Sequence, residues 1–249
     1  MRLTLLGTGN AAGMPLYGCK CKVCMKARSD VSCQRRTTCA LLETGNEQYM
    51  IDAGLMNLAE QFTEPDLDGI LLTHFHVDHV QGLFHLRWGT GKKIPVYCPP
   101  DSRGCDDLFK HPGILDFRPQ RKYKSFSLGK LNITPLPLIH SRPTFGYLIE
   151  NENQTIAYLV DTKGLPPGTE DLLSNTVLDI MIIDTTSPPG VVNRNHNNLD
   201  ETLELHKKIG AKKTIMTHIS HELDLWLSEN SEILPESVSS GKDGDIVFQ

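Results

Sequence analysis

The sequence predicts an α/β protein in which two mixed β-sheets pack face to face with helices on their outer surfaces, an αββα sandwich. Two observations predict the layers: short runs of strand formers alternate with helical stretches, and they do so in two successive halves. A third predicts a polarity, because aspartate and histidine stand at the ends of strand after strand and gather chemistry along one edge. No repeat or low-complexity segment interrupts residues 1–249, so a single domain is expected, with a cysteine-bearing loop at 18–25.

Residues 2–7 read as the first strand. The turn after it, Gly7 to Gly13, departs from a dinucleotide-binding loop: its last glycine comes one place late, and Pro15 and Gly18 follow where a helix should start. Residues 37–44 and 48–52 form a hairpin about Gly45-Asn46, and 55–62 a short helix. Asp52, at the end of the second hairpin strand, either orients a metal ligand or caps a turn. The strand 69–73 follows, then 94–98, closed by Pro99-Pro100. A helix is expected over 101–111 with Cys105 buried in it, and a hairpin over 123–128 and 130–138. The second half continues with strands 156–160, 179–184, 213–217 and 245–248, and with helices 167–174, 198–210 and 221–229.

The strand 69–73 delivers His74-Phe75-His76-Val77-Asp78-His79. Three imidazoles and a carboxylate at one turn suit metal ligation better than packing, since each needs a partner or open water. Alternation aims His74 and His76 one way, while Asp78 and His79, adjacent at a helix start, diverge. One turn therefore offers two pairs of ligands to two neighbouring places, which suits two metals. His140, Asp161, His196 and His218 each follow or end a strand, and together they mark a site. Cys19, Cys21 and Cys24 have the spacing of a zinc site that lacks one ligand nearby in sequence. Cys39 lies in a strand and reads as core. Arg118, Arg121, Lys122 and Lys124 form a basic cluster that is either a solvated edge or a contact for an anionic substrate.

Composition excludes several classes. The apolar fraction of 39% and charged fraction of 22% are ordinary for a globular protein. A net charge of −5 and a pI near 6.0 give no electrostatic case for a nucleic-acid surface. No apolar run reaches the length of a membrane span, and the first residues do not read as a signal peptide. An odd count of seven cysteines, three of them at metal spacing, points to a reducing compartment, the cytoplasm.

The string His-x-His-x-Asp-His after a strand resembles the metal motif of the metallo-β-lactamase superfamily. Gly18-Cys19-x-Cys21-x-x-Cys24, the run Asp78-His79-x-Gln81-Gly82-Leu83-Phe84, the run Leu86 to Gly89, Gly104 to Gly113 and Thr217-His218-Ile219-Ser220-His221 resemble its PhnP family. That family comprises phosphodiesterases of the carbon–phosphorus lyase pathway of phosphonate catabolism. The resemblance covers essentially the whole chain. It implies one metal held by His74, His76 and His140, a second held by Asp78, His79 and His218, and Asp161 bridging them. It implies a structural zinc on Cys19, Cys21, Cys24 and His221, and catalytic roles for His196 and for Asp78.

The implied reaction is hydrolysis of 5-phospho-α-D-ribose 1,2-cyclic phosphate to α-D-ribose 1,5-bisphosphate, with hydroxide shared between two divalent metals attacking phosphorus. Manganese is the implied active-site metal, with zinc acceptable; the implied assembly is a homodimer. Arg142 is a candidate for gripping the 5-phosphate. Two other readings share these residues: a transfer-RNA 3′-processing endonuclease, and a zinc-stabilised binding protein without turnover.

Overall fold

The computed structural model describes residues 1–62 and 67–248. One seven-stranded sheet contains β1 (Arg2–Gly7), β2 (Cys39–Thr44), β3 (Glu47–Ile51), β4 (Gly69–Leu71), β5 (Ile94–Cys98) and β6 (Leu115–Pro119), with β14 (Ile246–Phe248) beside β1. The other runs from β7 (Phe126–Leu128) through β8 (Leu131–Pro137), β9 (Phe145–Glu150), β10 (Thr155–Leu159), β11 (Ile180–Asp184) and β12 (Lys213–Thr217) to β13 (Val238–Ser240). Both sheets are mixed. β3 to β6 pair in parallel, as do β10 to β13, and the remaining pairs are antiparallel.

Alternation explains why the central strands are apolar throughout. Ile156, Tyr158, Ile180 and Ile182 join Leu3, Leu5, Ile51 and Leu71 in the core between the sheets. Their neighbours Ala157, Leu159, Met181 and Ile183 face outward, into a layer shared with Leu173 of α6 (Pro167–Ser174) and with Leu205 and Ile209 of α7 (Leu199–Ile209). On the other face, Met50, Ile70 and Leu72 pack against Leu58 of α2 (Leu58–Gln61), Leu83 and Leu86 of α4 (Leu83–Leu86) and Leu108 of α5 (Asp106–Lys110). Strands buried on both faces need side chains that like both. Each such side chain is worth about 1.5–3 kcal/mol of transfer free energy. The αββα sandwich follows.

Some local expectations change. The helix expected over 101–111 contracts to α5, because Asp101 folds back to accept a bond from the Arg103 amide (3.0 Å). Cys105 stands half-buried just before α5 rather than inside a helix. The helical run after the histidine turn splits into α3 (Val77–Val80) and α4 at Gly82. A Cβ there would lie 2.2 Å from the Leu55 carbonyl oxygen, so only glycine lets the segments approach. The cysteine loop continues into α1 (Lys22–Ser29), which packs against α8 (His221–Asn230). α7 begins where a capping box of Asn198 and Glu201 satisfies its first amides, and it ends at Gly210, φ 73°.

Candidate metal centre

Every strand-end residue singled out in the sequence arrives at one edge of the sandwich. The chain leaves β4 extended, carries His74 and His76, and turns into α3 at Val77 with Asp78 and His79 on its first turn. His140 lies on the loop joining β8 to β9, Asp161 and His218 just beyond β10 and β12, and His196 just before α7. Two clusters result: His74, His76, His140 and Asp161, and Asp78, His79, Asp161 and His218. Asp161 Oδ2 is their common vertex, 3.7 Å and 3.8 Å from the Nε2 atoms of His74 and His140 and 3.4 Å from those of His79 and His218.

The hydrogen bonds fix which nitrogen each ring turns inward. His79 Nδ1 donates to Asp52 Oδ2 (2.7 Å). His140 Nδ1 donates to the Asn195 carbonyl (3.2 Å). The Thr73 hydroxyl donates to Asp52, so His74 Nδ1 donates to Thr73 (3.0 Å). Thr186 donates to Asp184 (2.8 Å), and His218 Nδ1 donates to Thr186 (2.8 Å). Each of these four rings is left with an Nε2 lone pair facing the interior. His76 alone turns Nδ1 inward, 2.9 Å from His74 Nε2 and 3.0 Å from His140 Nε2.

Lone pairs do not bond one another. Nitrogens about 2.0–2.1 Å from one ion stand roughly 2.9–3.4 Å apart, so a cation satisfies all three. In the other cluster, the buried atoms His79 Nε2, His218 Nε2 and Asp161 Oδ1 have no hydrogen-bond partner. Orphaned buried polar atoms are costly, and an ion resolves them. The donor set fits two divalent metals.

Electrostatics divides the rings. Burial and neighbouring imidazoles push His74 and His140 down and His76 to about 4, so these three need lose no proton to take a cation near neutral pH. Burial also disfavours a charged His79 and His218, but Asp161 prevails, helped by Asp52 at the first and Asp78 at the second. His79 is held well above the usual range and His218 is raised to about 9. Burial raises the Asp52 carboxyl too, so that pair carries one proton, on the imidazole. Burial would likewise raise Asp78, but His218 and His79 hold it below the usual carboxylate range.

His196 stands at the rim. Its Nδ1 donates to Asp184 Oδ2 (2.7 Å), and its ring stacks on His218 with centroids 4.7 Å apart. Asp184, fully buried, also accepts bonds from the Thr162 amide (3.0 Å) and the Thr186 hydroxyl. The sequence reading did not single out Asp184. Its signal was present, since Ile180 to Asp184 repeats the apolar-strand-then-aspartate pattern of Asp161, and β10 and β11 run parallel in register. Asp52 proves to be an orienting group rather than a turn cap.

Arg142 departs from expectation. Its Nη1 is already held by Asp101 (3.2 Å) and by the Gly104 carbonyl (2.8 Å).

The second cluster joins the ends of the chain. Cys19 and Cys21 Sγ lie 3.8 Å and 3.7 Å from His221 Nδ1, and Cys24 completes the group. Sulfur about 2.3 Å and nitrogen about 2.0 Å from one tetrahedral ion stand roughly 3.5 Å apart, so the spacing fits zinc. The Leu16 amide points at Cys24 Sγ (3.4 Å) and the Cys21 amide at Cys19 Sγ (3.5 Å), as amides do towards thiolates. Burial pushes the Cys24 thiol up to about 11, so a bound cation is what would deprotonate it.

Among the described residues, no helix is long and apolar enough to cross a membrane.

The β-lactamase superfamily domain matches residues 44–219. The chain is 30% identical to an octanoyltransferase of Porphyromonas gingivalis over 98% of its own length, but spans only 51% of that protein. It is 28% identical to ribonuclease Z of Methanopyrus kandleri over 44% of this chain and 42% of that one. Its fold resembles that of a diphosphatase from the PhnP family, with a TM-score of 0.84 and 27% identity, covering 99% of this chain and 97% of the other. Human tRNase Z, short form, shares the fold with a TM-score of 0.70 at 18% identity, over 100% and 99% of the two chains. The strand order, the two clusters on one sheet edge and the matched span agree: this chain belongs to the metallo-β-lactamase superfamily, on its hydrolase fold.

Proposed function

We propose that the protein is a metal-dependent phosphodiesterase that opens 5-phospho-α-D-ribose 1,2-cyclic phosphate to α-D-ribose 1,5-bisphosphate. The observation that carries this is the pair of ligand clusters sharing one Asp161 oxygen, with His196 beside them. His74, His76 and His140 would hold one divalent ion, and Asp78, His79 and His218 the other, manganese or zinc. Two such ions supply charge that lowers the pKa of water and stabilises charge gathering on phosphorus.

The chain's own residues do the rest. Asp52, Thr73, Thr186 and Asn195 hold the ligating rings in their tautomers. Asp78, kept ionised by its neighbours, carries negative charge into the centre and can orient water. Asp184 locks His196 so that Nε2 is the atom free to give a proton to the leaving oxygen or to bond an equatorial one. Burial of the ring ligands excludes bulk water from their far sides. Cys19, Cys21, Cys24 and His221 would hold a structural zinc. The resemblance to the PhnP family supports a homodimer and the phosphoribosyl substrate.

The test is phosphorus NMR of the metal-loaded protein with the cyclic substrate. A new monoester at the 1-position is expected, and an unchanged spectrum from a sample holding its metals would refute the assignment. His196→Ala should keep its metals and lose about 10²–10⁴-fold in turnover. A second reading is cleavage of a phosphoanhydride, favoured by the 0.84 likeness to a diphosphatase. Adding a nucleoside diphosphate sugar to the same assay separates the two.

A further inference from the structure

Beside the metal centre, between the ends of β5 and β6 and the loop joining β8 to β9, lies a cavity of about 580 Å³. Its polar lining is cationic: Arg121, Lys122 and Arg142 border it, and no carboxylate does. In a chain of net charge −5, such a concentration needs an explanation.

The three cations are not disposed like ordinary surface charges. Among the described residues, Arg121 and Lys122 have no ion-pair partner, whereas Arg118 nearby is neutralised by Asp116 (2.8 Å) and lies over the Tyr97 ring. Arg142 is half-buried, and its Nη1 bonds to Asp101 and Gly104 hold the guanidinium in place. Arg121 and Lys122 ride on a strap from one sheet to the other. The Gln120 amide donates to the Cys98 carbonyl (2.8 Å) on the first sheet, and the Tyr123 amide to the Pro135 carbonyl (2.8 Å) on the second. The Tyr123 hydroxyl bonds Thr169 (3.2 Å), which pins the far end of the strap. The backbone carrying the charges is therefore anchored before any ligand arrives.

The cavity and the metal centre share a wall. Leu138, Arg142, Pro143 and Thr144 line the cavity, and His140 and Ser141 of the same loop face the centre, Ser141 Oγ standing 3.4 Å from His76 Nε2. β4, which delivers His74, and β6, which leads into the strap, are separated by β5 alone. Two strand spacings amount to about 10 Å, a distance spanned by a small sugar but not by its phosphate alone.

We propose that this cavity receives a phosphomonoester at the remote end of the substrate, with Arg121 and Lys122 pairing its oxygens and Arg142 presenting the preset edge of its guanidinium. The assignment rests on the phosphodiesterase reading for its meaning but not for its test. It makes the preferred substrate a doubly phosphorylated small sugar, and it makes charge at the remote end a determinant of specificity.

The experiment uses the full chain loaded with metal, and Arg121→Ala/Lys122→Ala, which alters exposed side chains outside the metal clusters. The first readout is binding of ribose 5-phosphate by calorimetry, with ribose and inorganic phosphate as separate probes. Each lost charged hydrogen bond should weaken ribose 5-phosphate binding about 10–100-fold and steepen no other loss. The second readout is hydrolysis of bis(p-nitrophenyl) phosphate, which has no remote phosphate and should be unchanged in the double variant.

Equal binding of ribose 5-phosphate by both proteins overturns the proposal, as does an equal loss against both substrates. If inorganic phosphate binds as tightly as ribose 5-phosphate and is unaffected by the double variant, the anion site is the metal centre and the cavity is excluded. A protein inactive on every phosphodiester, yet binding ribose 5-phosphate through Arg121 and Lys122, would overturn the reaction and leave the cavity standing. Tighter binding of a short RNA than of ribose 5-phosphate would also overturn the sugar-phosphate assignment.

Discussion

Replacing Asp52 by asparagine tests how this site controls its metals, without touching a ligand. Asp52 is completely buried and accepts from the Thr73 amide (2.8 Å), the Thr73 hydroxyl (2.9 Å) and His79 Nδ1 (2.7 Å). Through Thr73 it also orients His74, so one carboxylate governs a ring in each cluster. An asparagine has the same shape but only one accepting atom. With its oxygen towards the Thr73 amide, its NH2 meets His79 Nδ1, which must then accept, moving the ring proton to Nε2 where a metal should bind. With its oxygen towards His79, its NH2 opposes the Thr73 N–H, donor against donor. Either arrangement penalises the metal-bound state. Loss of such an orienting partner costs about 10–100-fold in metal affinity, or about 1.4–2.8 kcal/mol. The assay is competition for zinc or manganese against a chromogenic chelator, with circular dichroism to verify folding. A folded Asp52→Asn protein of unchanged affinity would refute the argument that carboxylate acceptance sets the tautomer.

Metal binding should release protons near neutral pH. His218, raised to about 9, and His79, held higher than usual, are protonated in the metal-free protein, while His74, His76 and His140 are not. Affinity should therefore rise with pH towards about 9, and calorimetry in buffers of different ionisation enthalpy should show release approaching two protons; heats independent of buffer would contradict this. Cys24→Ser should abolish zinc uptake at the cysteine cluster and lower the melting temperature, since His221 then no longer ties the amino-terminal loop to α8; unchanged zinc content by mass spectrometry would argue against the ligand set. His206, whose rings bond Thr214 (2.8 Å) and Ser237 (3.0 Å), has its pKa lowered by burial and by Lys207. A depressed histidine contributes stability that is present above its unfolded pKa and lost as pH falls through the folded one, so His206→Gln should lose less stability than the parent between about pH 7 and about pH 5, measured by urea midpoints.

How much could be read in advance depended on whether the information was local. Alternation marked β10 and β11 as strands buried on both faces, and the pairing of His74 with His76 and divergence of Asp78 from His79 followed from the geometry of one turn. The helix at 101–111 was overestimated because Asp101 and Gly104 spend its first residues on a turn, a competition that propensity does not register. Gly82 similarly breaks the helix after the histidines because of Leu55, a neighbour in space.

The sequence by itself determined the ligand types, their placement at strand ends and the number of clusters they would form. Residue chemistry and strand periodicity are properties of short stretches, so they survive without coordinates. Only the tertiary structure decided which distant residues share a vertex: Asp161 between His79 and His218, His221 against Cys19 and Cys21, and Asp184 behind His196. It also decided that Arg142 is held by Asp101 while Arg121 and Lys122 stand unpaired, and that Asp52 orients rather than caps. These outcomes depend on how two sheets close over one another. That closure is set by the summed packing of the core, and no single stretch of chain encodes it.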